Sequence, residues 1–429
     1  MKSPLVSASH GSVLIVVMVV CLGLVALTLV FGNSAVMAYR GAENSQAGAQ
    51  AEQAIEGAAR YAEYLMTQVT RPGAMPDPAT FQSEALPVGD ATFWFLGVPA
   101  ASDPIDKPAF GLVDEASKLN LNTASANMLM WLPGMTSELA AAIVSWRTRA
   151  ATTSTSTNKS APFESVDELA LVTGTDSTLL YGVDSNLNHV LDSTEDDSSF
   201  TAGSTQSRIA SGLLEYVTVF SREPNTVSGG TSARINVTQP VSTAMTTLLT
   251  SAFEASRARD IEQKIRAAGR MTSVLQFYIR SGMTEAEFEK VAPMLTSKSG
   301  SFVTGLINVN TASATVLASI PGIGSDKAAE LLAARAIQST PPTTLAWVVP
   351  ILGEESAIAA GPYLTVNSYQ WSADVAAVGR LGRGYRRTRF VLDNSTGTPR
   401  IVYRRNLAPL GWALGSETRE TLAAKNQTK

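Results

Sequence analysis

Apolar residues are concentrated near the start of the chain, where Ser12–Phe31 forms a run without a charged residue. A helix of this length spans the hydrocarbon core of a bilayer. A cleaved secretory signal is the alternative, but its apolar core usually covers only about 7–15 residues and ends at a small-residue cleavage site. Here the helical pattern continues beyond the run, so the sequence predicts a single transmembrane helix.

The pattern then changes from uniformly apolar to amphipathic, and no proline occurs between Ser34 and Thr70. Apolar residues recur on one helical face. They are Ala47, Ala51, Ala54, Ile55, Ala58, Tyr61, Ala62 and Leu65. We predict one helix from about Val13 to about Val69, ended by Pro72-Gly73, whose second half packs against the rest of the protein.

A later stretch occurs twice, because residues 119–147 match residues 307–335 without a gap. Each copy predicts two short helices around a tight turn, in the first copy Ala124–Trp131 capped by Thr123, and Glu138–Trp146. Proline and glycine end the first helix and form the turn. These hairpin residues are Pro133 and Gly134 in the first copy, and Pro321, Gly322 and Gly324 in the second.

This arrangement is the helix-hairpin-helix pattern, whose turn can offer backbone amides to a nucleic-acid phosphate. The alternative is a compact packing unit. Between Leu306 and Arg335, Lys327 and Arg335 are balanced by Asp326 and Glu330, whereas a phosphate binder usually shows a basic stripe. The charge favours packing and makes nucleic acid an unlikely partner.

The motifs around the first copy narrow the family. Residues 111–124 read Gly-Leu-Val-Asp-Glu-Ala-Ser-Lys-Leu-Asn-Leu-Asn-Thr-Ala, and Leu132-Pro-Gly is followed by Trp146-Arg147. Together with the long helix and a strand at Ala91–Leu96, they closely resemble the type II secretion minor pseudopilin K family, also called general secretion pathway protein K. The resemblance extends from Gly11 to about Ala413.

The resemblance implies an α+β fold, in which a type IV pilin-like N-terminal helical spine packs on an antiparallel sheet and a large α-helical insertion carries the helix-hairpin-helix repeats. It implies a structural, non-enzymatic function: a minor pseudopilin that helps initiate and cap the pseudopilus of a type II protein secretion system. The alternative function is a membrane-anchored, DNA-binding helix-hairpin-helix protein for DNA uptake.

The same resemblance implies that prepilin peptidase cleaves between Gly11 and Ser12. It places the protein in the bacterial inner membrane as a single-pass protein with its bulk in the periplasm. Its implied partners are other minor pseudopilins and the inner-membrane secretion platform. In most pilins the fifth mature residue is a glutamate that pairs with the N-terminal amine of a neighbouring subunit. The equivalent residue here is Val16, which favours a position at the tip.

The remaining pattern divides the chain into segments. They are a leader (1–11), a transmembrane helix (12–31), its amphipathic continuation (32–72), a pilin-like strand region (73–117), a first helical domain (118–212), a strand region (213–237), a degenerate helical repeat (238–300), the second hairpin region (301–362), C-terminal antiparallel strands (363–414) and a tail (415–429). Predicted strands are Leu213–Phe220, Tyr363–Trp371, Ser372–Leu381, Tyr385–Asp393 and Arg400–Leu407.

Arginines alternate with apolar residues along the last strands, which predicts a solvated face of the sheet. They are Arg383, Arg386, Arg387, Arg389, Arg400, Arg404 and Arg405.

The loop Asp184–Glu195 has the oxygen spacing of a twelve-residue calcium site. The predicted ligands are Asp184, Asn186, Asn188, the carbonyl of Val190, Asp192 and Glu195. The sixth position, usually glycine, is His189, which must adopt a positive φ. The alternative is a solvated loop of Asx turns, but all five side-chain oxygen positions match, so we expect calcium as a ligand.

Composition adds few further candidates. The 429 residues carry 33 basic and 37 acidic side chains, so no net basic field draws the protein to nucleic acid. A single cysteine, Cys21, excludes intrachain disulfides. Two histidines and the absence of a glycine-rich phosphate loop leave the common catalytic schemes without parts, and we expect no enzymatic activity.

Overall fold

The computed structural model describes residues 10–100, 103–104, 106–148, 159–192, 195, 211–227 and 232–427. Its α-helices are α1 (His10–Thr67), α2 (Ala126–Leu129), α3 (Ser137–Arg147), α4 (Ser177–Tyr181), α5 (Thr243–Ala252), α6 (Ala255–Ala268), α7 (Val274–Ser281), α8 (Glu285–Val291), α9 (Ala314–Ala318), α10 (Gly324–Ala336), α11 (Val349–Leu352), α12 (Glu354–Ala360) and α13 (Gly415–Gln427).

Its strands are β1 (Leu86–Val88), β2 (Ala91–Leu96), β3 (Val113–Asp114), β4 (Leu119–Asn120), β5 (Val217–Thr218), β6 (Arg222–Pro224), β7 (Ile235–Asn236), β8 (Leu295–Thr296), β9 (Phe302–Thr304), β10 (Ile307–Asn308), β11 (Leu364–Thr365), β12 (Gln370–Val378), β13 (Arg386–Asp393) and β14 (Arg400–Asn406).

The helix α1 confirms the predicted spine, since it runs unbroken for 58 residues. Its first half is exposed and is apolar enough to cross a membrane. Its second half buries the predicted stripe, with Ala51, Ala54 and Ala58 fully inaccessible. Small residues let the helix approach the sheet closely, and the half-buried Tyr61 stacks on Phe95 with ring centroids 6.0 Å apart.

The sheet that receives the spine has the strand order β1-β2-β12-β13-β14, and β3 also pairs with β12. The pairings within it are antiparallel. All nine residues of β12 are buried because the strand is central and covered on both faces. On one face Trp371, Ala373 and Val375 meet α1. On the other, Ala376 and Val378 pack with Leu414, beside Leu422 of α13.

Between β3 and β12 the chain makes an insertion of three repeated units. The first unit covers residues 119–218, the middle unit 235–296 and the last unit 307–365. Each begins and ends with a two-residue strand, and these strands pair in parallel, β4 with β5, β7 with β8, and β10 with β11. The degenerate middle copy therefore keeps the architecture of the other two.

Local turns explain why each unit begins and ends alike. The first strand ends in an asparagine whose Oδ1 accepts a hydrogen bond from the amide two residues on, in Asn120, Asn236 and Asn308. The returning strand ends in a threonine whose Oγ1 accepts in the same way, in Thr218, Thr296 and Thr365. Asparagine and threonine are suited to such side-chain-to-backbone turns.

Some element boundaries differ from the prediction. The cap of the first hairpin helix is Ser125, which accepts from the Met128 amide, so the helix begins at Ala126 and not after Thr123. Leu213–Phe220 holds one turn of 3₁₀ helix and a two-residue strand. The proposed strand Tyr363–Trp371 is divided, because β11 closes the last unit before β12 begins the sheet.

Candidate functional site

The second hairpin turn is covered by protein. Gly322 has φ +86°, and a Cβ at this position would lie 2.9 Å from the Ala359 Cβ and from the Ser356 carbonyl oxygen. Lys327 donates to the Leu352 carbonyl at 2.7 Å and also to the Ser356 hydroxyl. This lysine in the first turn of α10 therefore secures the helix to α11 and α12. This arrangement supports the packing interpretation of the hairpin.

The first hairpin is covered in the same way. Gly134 has φ +68°, and a Cβ there would lie 2.6 Å from the Leu179 Cδ1 of α4. The amide end of α3 is capped within the chain, because Thr136 Oγ1 accepts from the Leu139 amide. Each Pro-Gly turn thus faces a further pair of short helices in its own unit, residues 166–181 in the first unit and α11 with α12 in the last, which the sequence pattern did not predict.

The acidic loop Asp184–Glu195 is held by its own amides, and of its residues only 193 and 194 lie outside the described part. The Asp184 carboxylate accepts from the amides of Asn188 at 3.0 Å and His189 at 2.9 Å. The Glu195 carboxylate accepts from the amides of Ser185 at 2.8 Å and Asp192 at 3.0 Å. Position 12 of the loop therefore reaches back to positions 2 and 9.

The remaining predicted ligands converge on the same loop. Asp192 Oδ2 accepts from the side-chain amides of Asn186 at 2.5 Å and Asn188 at 3.0 Å. Asn188 Oδ1 accepts from the Val190 amide at 2.8 Å. His189 adopts φ +61°, the conformation that glycine normally supplies at the sixth position.

The donor set fits a hard cation such as calcium. Asp184 is fully buried, and burial raises the pKa of its carboxyl against the lowering effect of nearby His189. Asn186 Oδ1 is buried without a hydrogen-bond partner in the described structure. Across the described ranges, no three Asp, Glu, His or Cys side chains are grouped so that they could hold a metal. A cation here would therefore also need the oxygens of Asn186, Asn188 and Val190.

The loop is also the joint between the insertion and the sheet. Arg387 of β13 donates to the carbonyls of Asn186 and Leu187, the latter at 2.9 Å. Its guanidinium pairs with Asp374 of β12 through two hydrogen bonds of 2.8 Å. Asn186 Nδ2 adds a bond of 3.0 Å to the Trp412 carbonyl. The prediction of a wholly solvated arginine face was wrong here, since Arg387 is completely buried.

The other arginines of the predicted set, in or beside the sheet, also meet acidic groups, some of them on the spine. Arg383 pairs with Glu43 at 2.8 Å, and Arg404 pairs with Glu52 at 2.8 Å. The further pairs are Arg386–Glu52, Arg389–Asp374, Arg400–Asp393, Arg404–Glu56 and Arg405–Asp167. These arginines therefore tie α1 and the first unit to the sheet.

The predicted processing residues Gly11 and Ser12 lie in the first turn of α1. The rest of the predicted leader, residues 1–9, lies outside the described residues.

Comparisons with known proteins agree with the duplicated motifs. Residues 114–181 match the helix-hairpin-helix motif, and residues 307–340 match protein K of the type II secretion system. The last unit of the insertion is therefore similar to the protein K family of type II secretion systems. Protein K is a structural component of the secretion system, and the exposed apolar half of α1 is compatible with a single-pass membrane anchor.

A solved chain from the GspK-GspI-GspJ complex of the enterotoxigenic Escherichia coli type 2 secretion system aligns with 86% of this chain and 98% of its own length. The identity is 12% and the TM-score is 0.35, which is too low for this likeness to assign a family or a function to the chain. A comparison with curated proteins gives no match.

Proposed function

We propose that this chain is a minor pseudopilin, a protein K subunit that helps initiate the pseudopilus and caps its tip. The observation that carries the proposal is Val16, an exposed apolar residue of α1 at the position where most pilins have a glutamate. A subunit without that glutamate cannot neutralise the N-terminal amine of a neighbour above it. An unpaired charge in an apolar setting costs several kcal/mol.

The size of the insertion also supports a position at the tip of the pseudopilus. The three units extend the pilin-like domain by residues 115–369, and their joint with the sheet is fixed by the buried Arg387. Such a mass would crowd a regular helical lattice of subunits, whereas a terminal subunit has no neighbour above it.

The proposal includes a location, a processing step and partners. The bulk of the chain would lie in the periplasm, anchored in the bacterial inner membrane through Ser12–Phe31. Prepilin peptidase would cleave between Gly11 and Ser12, and the inner-membrane secretion platform would receive the subunit. The solved complex contains GspK with GspI and GspJ. We expect comparable minor pseudopilins as direct partners of this chain.

Calcium is part of the proposal. Asp184, Asn186, Asn188, Asp192 and Glu195 would supply side-chain oxygens, and Val190 would supply its carbonyl. The unpartnered Asn186 oxygen and the positive φ of His189 support this assignment. Bound calcium would balance the negative charges of the loop carboxylates. It would also fix the loop whose carbonyls, at Asn186 and Leu187, accept from Arg387. The site would therefore stabilise the joint between the insertion and the sheet.

The DNA-uptake alternative has less support because both hairpin turns are covered by helices of their own units. A duplex-binding measurement on the full chain at low salt separates the two functions. Binding with a steep salt dependence would favour DNA uptake.

Deletion and co-purification test the tip proposal. A deletion strain should lose most secretion and assemble few pseudopili, and the tagged chain should co-purify with other minor pseudopilins. Normal secretion in the deletion strain, or purification of the tagged chain without any pseudopilin, would refute the proposal.

A further inference from the structure

The middle unit contains an open groove of about 600 Å³ that has no counterpart in the function proposed above. Its walls come from the loop 237–242, the end of α6 and Met271, which lies between α6 and α7. Val237, Met245, Ile265, Met271 and Phe277 make these walls largely apolar, and each of these five residues is itself buried in the core of the unit.

The first and last units show what normally fills this position. In the first unit, Arg147 at the end of α3 donates to the carbonyls of Leu121 and Ala124. In the last unit, Arg335 in the final turn of α10 donates to the carbonyls of Val309 at 3.2 Å and Ala312 at 2.8 Å. Each guanidinium thus connects the second helix of the hairpin to the loop that begins the unit.

The middle unit has no arginine at the matching place. Two small or branched residues precede the arginine by seven and four positions in the other units, as Ala140, Ile143 and Arg147 on α3 and as Ala328, Leu331 and Arg335 on α10. On α6 the same spacing falls on Ala258, Ile261 and Ile265, and all three are buried. Ile265 cannot donate to the loop, and the adjacent Arg266 is exposed and pairs with Glu262 at 2.5 Å. The place of the guanidinium is therefore left open.

A second connection is also missing. Asn122 donates to the Phe163 carbonyl at 2.9 Å, and Asn310 donates to the Pro342 carbonyl at 3.0 Å. The middle unit has Thr238 at this position, whose shorter side chain bonds to Asn236 instead. The carbonyls of Val237, Val241 and Met271 accept no hydrogen bond from any described residue. They remain as acceptors along the groove.

We propose that this groove binds a segment of a partner polypeptide that inserts an arginine side chain. The inserted guanidinium would donate to the carbonyls of Val237 and Val241, as Arg147 and Arg335 do to their own loops, and apolar neighbours would pack on Met245 and Met271. Arg270 lines the groove and forms no ion pair within the described chain. It favours an acidic residue beside the inserted arginine. The groove is a property of the middle unit and does not depend on the position of the subunit in the filament.

The test follows the ε-methyl NMR signals of the methionines in the full chain in detergent micelles. Met245→Leu and Met271→Leu variants assign the two groove signals, and Met66 in the core between spine and sheet is the internal reference. The probe is the blocked peptide acetyl-Leu-Arg-Asp-Leu-amide. The same peptide with citrulline in place of arginine is the uncharged control. We expect the arginine peptide to shift Met245 and Met271 and not Met66, with at least tenfold weaker binding of the citrulline peptide.

Variants at position 265 make the test specific. Ile265→Arg recreates the arginine of the other two units and should fill the groove, so it should abolish the shifts. Ile265→Leu keeps an apolar side chain and should retain them. Gln263→Arg adds the same charge at an exposed position of α6 and should change nothing.

A second variant keeps the test decisive if Ile265→Arg does not fold. Thr238→Asn recreates the asparagine of the other units, which can donate to the Met271 carbonyl, and should weaken the shifts. Absent shifts, equal shifts with the citrulline peptide, or full binding by a folded Ile265→Arg variant would each overturn the proposal.

Discussion

At the scale of single residues, Asp374 carries the joint between the sheet and the insertion. Burial raises the pKa of its carboxyl, but Arg387 and Arg389 lower it by more, to about 2. The folded-state pKa thus lies below the ordinary value of 3.8. Its contribution to stability is therefore present above about pH 4 and is lost as the pH falls towards about 2.

We predict that Asp374→Asn lowers the free energy of unfolding at neutral pH by about 3–5 kcal/mol, because it leaves the Arg387 guanidinium buried without its counter-charge. The difference from the unsubstituted chain should shrink as the pH falls from about 4 to about 2, where Asp374 itself becomes neutral. Denaturant unfolding across this range measures both effects. Asp326→Asn, at an exposed position, is the control, and a pH-independent difference would argue against the ion pair.

The calcium loop gives a second prediction at this scale. Calcium should raise the melting temperature of the full chain, because binding to the folded state alone stabilises it. Glu195→Ala removes two ligand oxygens and should abolish most of that rise, whereas Glu355→Ala on the exposed face of α12 should preserve it. The same melting temperature in chelator and in excess calcium would eliminate the site.

At the scale of elements, hydrophobic periodicity predicted the helices and strands that are long and bury one face. The α1 stripe and the strands β13 and β14 came from such patterns. The parallel strand pairs could not be predicted in this way, because two residues carry no period and their partners lie up to 98 positions apart along the chain, as with Leu119 and Val217. The asparagine and threonine that end these strands were the available signal.

Partners distant in sequence explain the remaining errors at the candidate site. Arg387 follows a pattern typical of an exposed strand face, yet its carbonyl acceptors Asn186 and Leu187 precede it by 201 and 200 residues. The oxygen spacing of the acidic loop was visible in the sequence. Its docking on the sheet depends on tertiary contacts that local spacing does not encode.

The hairpin elements give a prediction that separates packing from phosphate binding. Gly322→Ala and Gly397→Ala both place a side chain at a positive φ, which costs roughly 1–3 kcal/mol. Only Gly322 also meets neighbours, Ala359 and Ser356, whereas a Cβ at Gly397 has open space around it. We expect Gly322→Ala to destabilise the chain more in denaturant unfolding. Equal losses of unfolding free energy in the two variants would mean that the Pro321-Gly322 turn is not packed on α12.

At the scale of the whole molecule, two features restrict where the subunit fits in a filament, the apolar Val16 and the three-unit insertion. Restoring the glutamate with Val16→Glu should not by itself allow incorporation below the tip, because the insertion still crowds the lattice. Val16→Glu combined with removal of residues 115–369 should allow it. Cross-linking of the tagged variants to subunits above them measures incorporation, and cross-links from Val16→Glu alone would assign the restriction to the glutamate only.

The position of the subunit on the pseudopilus is the central claim, and labelling tests it most directly. Pseudopili assembled with an epitope-tagged chain should carry label at one end only, with about one label per filament. Label along the whole shaft would contradict a capping role, whatever the effect of deletion on secretion.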